Sequence, residues 1–230
     1  MSEHVLPSNP PLEITLRRSG RARRISLRVS SLDGRVTLTV PNHIPDHEGL
    51  AFAHQKAGWL RSQLDRQPET QIVGLGTQLP LEGQLLRIAS GAGRRIETDD
   101  ATLFVPGSVG TIPARLQGWL KTRARDSLVA ASDKYSSALG RSYSRITLRD
   151  TRSRWGSCSH QGGLMYSWRL VLAPKNVLDY LAAHEVAHLA EMNHSPQFCA
   201  TVERLCPEYE NPRQWLRKNG TGLHRFRLTD

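Results

Sequence analysis

The stretch VLDYLAAHEVAHLAEMNHSPQF covers residues 177–198 and contains a His-Glu-x-x-His motif at His184, Glu185 and His188. Its apolar residues recur at helical spacing, which predicts a buried helix with the motif in its middle. Residues four apart lie one turn above each other on a helix, so both imidazoles can face one ion. The motif therefore predicts a metal centre, and zinc is the ion that this geometry most often serves.

The glutamate of the motif has a different predicted role from the histidines. Glu185 is rotated by about 100° around the helix axis from His184, which places its carboxylate beside the metal. From there it can reach a water on the metal without displacing a ligand. Glu185 is therefore the predicted general base.

A catalytic zinc takes three protein ligands and a water, so a third ligand is needed. His194, six residues after His188, is the best candidate. The helix is expected to continue to Glu191 and to end near Asn193, a residue type that tolerates the left-handed conformation. Ser195-Pro196 has the pattern of an N-cap and the first position of a new helix. His194 is thus predicted at the corner between two helices, free to turn back toward the metal.

The N-terminal half has the period of β-strands. Short segments of alternating apolar and polar residues predict a small antiparallel sheet closed by Pro41, and a helical period follows over 46–66. The predicted strands of this half are 14–16, 25–29, 36–40, 79–81, 85–89 and 101–105. A β-rich half is therefore expected to end near Pro106.

The C-terminal half begins with a long predicted helix over 112–139, ended by Gly140. Strands are predicted directly ahead of the motif helix, and further helices after it. These strands are 143–148, 155–158 and 164–172, and the later helices are 196–205 and 211–220. Zincin-type enzymes hold substrate along such a strand. The predicted fold class is α+β: a β-rich N-terminal half followed by a zincin-like catalytic half, with the active-site helix beside an antiparallel sheet.

Four segments are predicted along the chain. They are a flexible lead-in over 1–11, a β-rich subdomain over 12–106, a zincin-like metal-hydrolase domain over 107–222 and a C-terminal tail over 223–230.

The composition of the chain indicates the cellular compartment to expect. The 230 residues include only three cysteines, without Cys-x-x-Cys spacing, which suits a reducing compartment. No apolar run approaches the roughly 18 residues of a membrane span, and the N-terminus lacks the layout of a signal peptide. We therefore expect a cytoplasmic protein with no membrane partner.

Charge indicates a possible class of partner. The formal net charge is +10 and the sequence pI is about 10.1, a bias toward nucleic acids or nucleotides. Arg152, Arg154 and Arg169 are candidates to line the substrate strand and attract an anionic substrate. Salt-bridged surface positions are the alternative for these three side chains.

Several motifs resemble a known family. They are RDTRSRWGSCS at 149–159, WRLVLAP at 168–174, HEVAH at 184–188, HSPQF at 194–198 and RQWL at 213–216. The chain resembles the YgjP-type, SprT-related family of predicted zinc metallopeptidases, densely over 141–220 and more loosely before. The resemblance implies that His184, His188 and His194 hold the metal and that Glu185 is catalytic.

The leading functional hypothesis is a zinc hydrolase that uses a metal-activated water, with a peptide or protein as substrate. One alternative is a metal-dependent hydrolase of another bond, such as a nucleotide phosphoanhydride, which the positive charge favours. The other is a non-catalytic nucleic-acid-binding module with a structural zinc. Glu185 argues against that module, because a closed structural site has no use for a carboxylate beside a water. The sequence leaves the substrate and the oligomeric state open.

Overall fold

A computed structural model describes residues 2–8, 10–30, 34–65 and 69–228. The chain divides into two compact units, Met1–Glu69 and Thr70–Asp230. Over the described residues the fold is mixed α+β, with six α-helices and several small sheets.

The first unit is a four-stranded sheet with two helices. Its elements are β1 (Ser2–Leu6), β2 (Leu12–Ser19), β3 (Ser26–Val29), β4 (Val36–Pro41), α1 (Asp46–Gln55) and α2 (Ala57–Asp65). The strand order is β1-β2-β4-β3. Leu38 and Val40 of β4 are fully buried in one core with Ala53 and Leu60 of the helices. The single predicted helix is broken at Lys56 into α1 and α2, and the last predicted residue, Arg66, lies outside the described residues.

Two predictions for this unit are wrong. The sheet is mixed, because the chain passes to β3 at the outer edge and returns between β2 and β3, so β4 runs parallel to β2. The predicted lead-in is a strand over Ser2–Leu6 that pairs antiparallel with β2, and it buries Leu6. Met1 and Asn9 of that segment lie outside the described residues.

The second unit carries the motif helix. Its strands are β5 (Gln71–Ile72), β6 (Gln78–Leu81), β7 (Gln84–Gly91), β8 (Glu97–Thr98), β9 (Thr102–Pro106), β10 (Arg145–Arg149), β11 (Gly156–Cys158), β12 (Gly163–Ser167) and β13 (Phe226–Arg227). Its α-helices are α3 (Ile112–Leu139), α4 (Lys175–Ala187), α5 (Pro196–Leu205) and α6 (Glu210–Asn219), and its 3₁₀ helices are Trp168–Leu172 and Gly220–Arg225.

Helix α3, with 28 residues, is the longest helix among the described residues of this unit. Leu116, Leu120, Ala124 and Leu128 recur every four residues and are fully buried, because that spacing places them on one face. The helix ends at Gly140, whose φ of 70° is the left-handed conformation that glycine adopts at no steric cost. Both the predicted range of the helix and its glycine stop are confirmed.

The division between the units lies earlier than the predicted boundary at 106. Strands β6, β7 and β9 form a sheet whose buried side chains share a core with α3, so they belong to the same unit as the motif helix. The predicted C-terminal tail is also part of this core. Phe226 and Leu228 are buried, and β13 pairs with β5, whereas residues 229 and 230 lie outside the described ranges.

The sheet beside the motif helix has the order β10-β12-β11. The prediction of an antiparallel sheet is wrong. The sheet is mixed, because β11 forms a hairpin with β12 while β10 lies parallel to β12 on the other side. The predicted strand over 164–172 ends at Ser167, and Trp168–Leu172 is a wholly buried 3₁₀ helix that packs against α3. Of the helices within the described ranges, none combines the length and apolar composition that a membrane span requires.

Candidate metal centre

Helix α4 carries the first two histidines at its C-terminal end. His184 lies in the last turn of the helix and His188 is the C-cap, so α4 ends at Ala187, about one turn earlier than predicted. The backbone N–H of Leu189 and that of Ala190 donate to carbonyls three residues earlier, which tightens the turn and ends the helix. The chain then turns back before α5.

The early stop of α4 brings the third histidine to the first two. His194 precedes Ser195, which is the N-cap of α5 and accepts a hydrogen bond from the Phe198 N–H at 3.3 Å. One nitrogen from each of His184, His188 and His194 lies within 4.8 Å of the others. The predicted corner between two helices is therefore present, with the three imidazoles together.

This arrangement suits zinc. Zinc–nitrogen bonds of about 2.0–2.1 Å in tetrahedral geometry place two ligand nitrogens about 3.4 Å apart. The Nε2 atoms of His184 and His194 are 3.3 Å apart. Neutral imidazoles are preferred ligands of zinc, so the residues present fit that ion.

The imidazoles are held in place by their surroundings. His188 Nδ1 donates a hydrogen bond to the Glu191 carbonyl at 2.9 Å, with Nδ1 taken as the protonated nitrogen, which leaves Nε2 available to a metal. The buried ring of Phe198 lies against all three imidazoles, with centroid distances of 4.4 Å to His188, 4.8 Å to His194 and 4.9 Å to His184. Phe198 therefore forms an apolar support under the cluster.

Glu185 lies on the buried side of α4, beside strand β11. A β-carbon built on Gly156 would lie 2.5 Å from Glu185 Oε1 and 2.7 Å from Cγ. Only glycine permits so close an approach between the strand and the carboxylate. Position 156 thus determines where the Glu185 side chain can lie.

Burial changes the protonation of these groups. It raises the pKa of Glu185 to about 8, and the nearby charge of Arg154 opposes that increase. Burial also lowers the pKa of His184 to about 4, with further lowering by His188, His194 and Arg213. For His188, burial lowers the pKa and the hydrogen bond to Glu191 opposes the change. His184 and His188 are therefore neutral near pH 7, which is the form that binds a metal.

A family model described as a YgjP-like metallopeptidase domain matches residues 23–219. The chain belongs to the YgjP-like family. The resemblance inferred from the motifs is thereby confirmed, and the family description indicates a metal-dependent hydrolase. No curated protein and no solved structure matches the chain.

The three predicted substrate arginines of this YgjP-like chain have different surroundings. Arg154 is exposed and its charge acts on Glu185, which places it near the candidate centre. Arg152 is exposed and its charge acts on His224, which lies at the ring of Trp155. These two side chains remain accessible.

Arg169 does not have the environment of a substrate residue. Its guanidinium is buried, donates to both carboxylate oxygens of Asp150 at 2.7 and 3.0 Å, and donates to the carbonyls of Leu223 and Phe226. These contacts anchor the segment ahead of β11 to the second 3₁₀ helix. Its donors are used within the fold, so of the two readings that the sequence left open the structure agrees with the ion pair, at a position that is buried and not on the surface.

Other residues of the site were not predicted. Gly156, Phe198 and Arg213 all lie in motifs that mark the family, yet their roles depend on contacts between distant elements. The glycine in the Trp-Gly-Ser-Cys motif was the most accessible signal, since an isolated glycine in a strand indicates close approach of another group.

Proposed function

We propose that the chain is a zinc-dependent peptidase in which His184, His188 and His194 hold the metal and Glu185 is the general base. The convergence of the three imidazoles, with the Nε2 atoms of His184 and His194 at 3.3 Å, is the observation that carries this proposal. When bound, zinc supplies a Lewis acid that lowers the pKa of water and polarises a carbonyl.

Glu185 has the surroundings that a general base needs. Its carboxylate is buried, and among the described residues it forms no ion pair, which would lower its pKa and make it a weaker base. A divalent cation nearby favours the ionised form, against the raised pKa that burial produces. In the ionised form Glu185 accepts the proton of the attacking water and delivers it to the departing amine.

Strand β11 offers a place for a peptide, as in a zincin-like arrangement. It is the outer strand of its sheet and runs beside α4. The Ser167 N–H donates to the Trp155 carbonyl, and alternation along the strand then directs the backbone groups of Gly156 and Cys158 to the open edge. An extended peptide adds there as a further strand, held by its backbone next to Glu185.

Hydrolysis of a phosphoanhydride is a second candidate. Arg154 and Arg213 carry charges that act on Glu185 and His184 respectively. Two cations beside a metal suit the charge that develops in phosphoryl transfer. A non-catalytic zinc module fits less well, because a closed structural site takes four protein ligands and the described cluster offers three.

The substitution Glu185→Gln tests the proposal. It keeps the shape of the side chain and removes its basicity, so zinc content and melting temperature should stay near wild type. Turnover should fall by on the order of 10² to 10⁴, the usual worth of a positioned base. The substrates are casein and nucleoside triphosphates in parallel, which separates the two candidate reactions. Unchanged turnover with zinc still bound would remove Glu185 from the mechanism.

A further inference from the structure

The sheet β10-β12-β11 has an outer face turned away from the core. Alternation along β10 places Arg145, Thr147 and Arg149 on this face, whereas Ile146 is buried on the other. Thr147 lies opposite Met165 of β12, and Met165 lies opposite Ser157 of β11. With adjoining loop residues, including Arg154, these side chains line a concavity of about 380 Å³, which we call the basic face.

The residues that line the basic face carry no negative charge. Its lining contains three arginines and no acidic residue. Residues 141–154 include five arginines and a single acidic residue, Asp150, whose carboxylate is engaged by Arg169. Within the described parts of the chain, the guanidinium groups of Arg145, Arg149 and Arg154 neither form ion pairs nor donate hydrogen bonds to protein. Their donors are therefore available to an external anion.

The spacing of these arginines suits an extended anion. Arg145 and Arg149 are four residues apart on a strand, so their backbones lie about 13 Å apart. One compact anion does not span that distance, whereas a polymer with a charge on each repeat does. The hydroxyl of Ser159 also lines the face. Its oxygen accepts the Gly163 N–H at 3.0 Å, so its proton remains available to an anionic oxygen.

We propose that the basic face binds the phosphodiester backbone of a nucleic acid. Guanidinium groups match phosphate oxygens in bidentate geometry, and the chain as a whole has a net charge of +10. An acidic peptide fits less well, because peptides are held through their backbones at strand edges, whereas Arg145 and Arg149 project from the face of the sheet. The lining contains no aromatic ring on which a base could stack, so we expect little base preference. This binding goes beyond the proposed peptidase reaction and does not depend on it.

The experiment uses the full chain loaded with zinc and a fluorescently labelled single-stranded oligonucleotide of mixed sequence. Anisotropy titrations between 50 and 200 mM salt give both the affinity and its salt dependence. The slope of log K against the logarithm of the salt concentration is about −0.7 for each phosphate neutralised on a single strand. The double variant Arg145→Gln/Arg149→Gln should bind on the order of tenfold more weakly, with a salt slope shallower by about 1.4. The control Arg125→Gln removes an exposed arginine of α3 that lies outside the basic face and should bind like wild type.

Three results would overturn the proposal: no binding by the wild-type chain at 50 mM salt, equal affinity and slope in the double variant and the control, or equally effective competition by polyglutamate at matched charge. The third result would assign the face to acidic peptides.

Zinc content and melting temperature, measured on every variant, show that the fold is intact. Each of the two single variants should show about half of the change in salt slope that the double variant shows. Because binding is read without turnover, failure here leaves the Glu185 experiment unaffected.

Discussion

Gly156 lies so close to Glu185 that a β-carbon at position 156 would stand 2.5 Å from Oε1. The glycine and the carboxylate are 29 positions apart in the chain and belong to different elements, β11 and α4. The hydrogen on this glycine therefore defines the space in which the proposed general base operates.

The first prediction concerns Gly156→Ala. The added methyl group must displace the Glu185 carboxylate, and a displacement of about 1 Å can cost on the order of 10² in turnover. Zinc content should not change, because the three atoms nearest the added β-carbon all belong to Glu185 and not to a histidine. Gly118→Ala is the control for glycine replacement itself, because beyond its own stretch of helix backbone the new methyl would meet nothing within 4 Å. Equal turnover in the two variants would contradict this role for Gly156.

The second prediction concerns the ligand set. Purified chain should carry about one zinc, and His194→Ala should lower occupancy, because a catalytic zinc needs three protein ligands. Glu191→Ala is the matched control. Glu191 contacts His188 through its backbone carbonyl and Ala187 through its backbone N–H, and the substitution retains both backbone groups. Metal analysis of both variants distinguishes a histidine ligand from a carboxylate ligand, since loss of zinc only in Glu191→Ala would reverse the assignment.

The third prediction concerns Phe198, which supports all three imidazoles. Phe198→Ala should reduce the free energy of unfolding by about 3–5 kcal/mol and zinc affinity by about 10-fold or more, as for other residues that orient ligands. Val202 is buried in the same cluster, one turn further along α5. Val202→Ala should lose stability while keeping zinc affinity, as measured by competition with a chelator. Equal zinc affinity in the two variants would show that Phe198 contributes to packing alone.

The fourth prediction concerns pH. Burial and the charges of Arg169 and Arg152 lower the pKa of His224 from 6.5 to about 4, with Asp150 opposing. Between those values the unfolded chain binds a proton that the folded chain does not, so stability falls as pH drops from 6.5 toward 4. His224→Gln should reduce the stability difference between pH 7 and pH 4.5 by on the order of 1–2 kcal/mol. Urea unfolding of metal-free wild type and variant measures this, and an identical pH dependence would contradict the role of His224.

Local patterns in the sequence predicted much of the fold. Helix α3 and helix α5 have the predicted ranges, Ile112–Leu139 and Pro196–Leu205, because periodicity and end signals such as Gly140 and Ser195 are encoded within a few residues. The clustering of the three histidines also followed from short-range spacing. These features depend little on the rest of the chain.

The wrong predictions concern pairing and burial across long separations. Whether β10 runs parallel to β12, and whether the C-terminal residues enter the core, depends on contacts that periodicity does not report. The choice that the sequence left open for Arg169 has the same explanation. In the sequence, Arg169 cannot be distinguished from an exposed basic residue. Its partners, Asp150 and two backbone carbonyls, are known only from the structure.

The three histidines come from only 11 consecutive residues, 184–194, whereas the position of Glu185 depends on β11. Closing the short loop costs little conformational entropy, so the metal-binding corner can form early in folding, before the long-range sheet contacts. On this argument we expect β11 to dock later, as a separate event. A chain would then hold a metal while the proposed general base is still out of place, and metal content alone would not measure the fraction of active molecules.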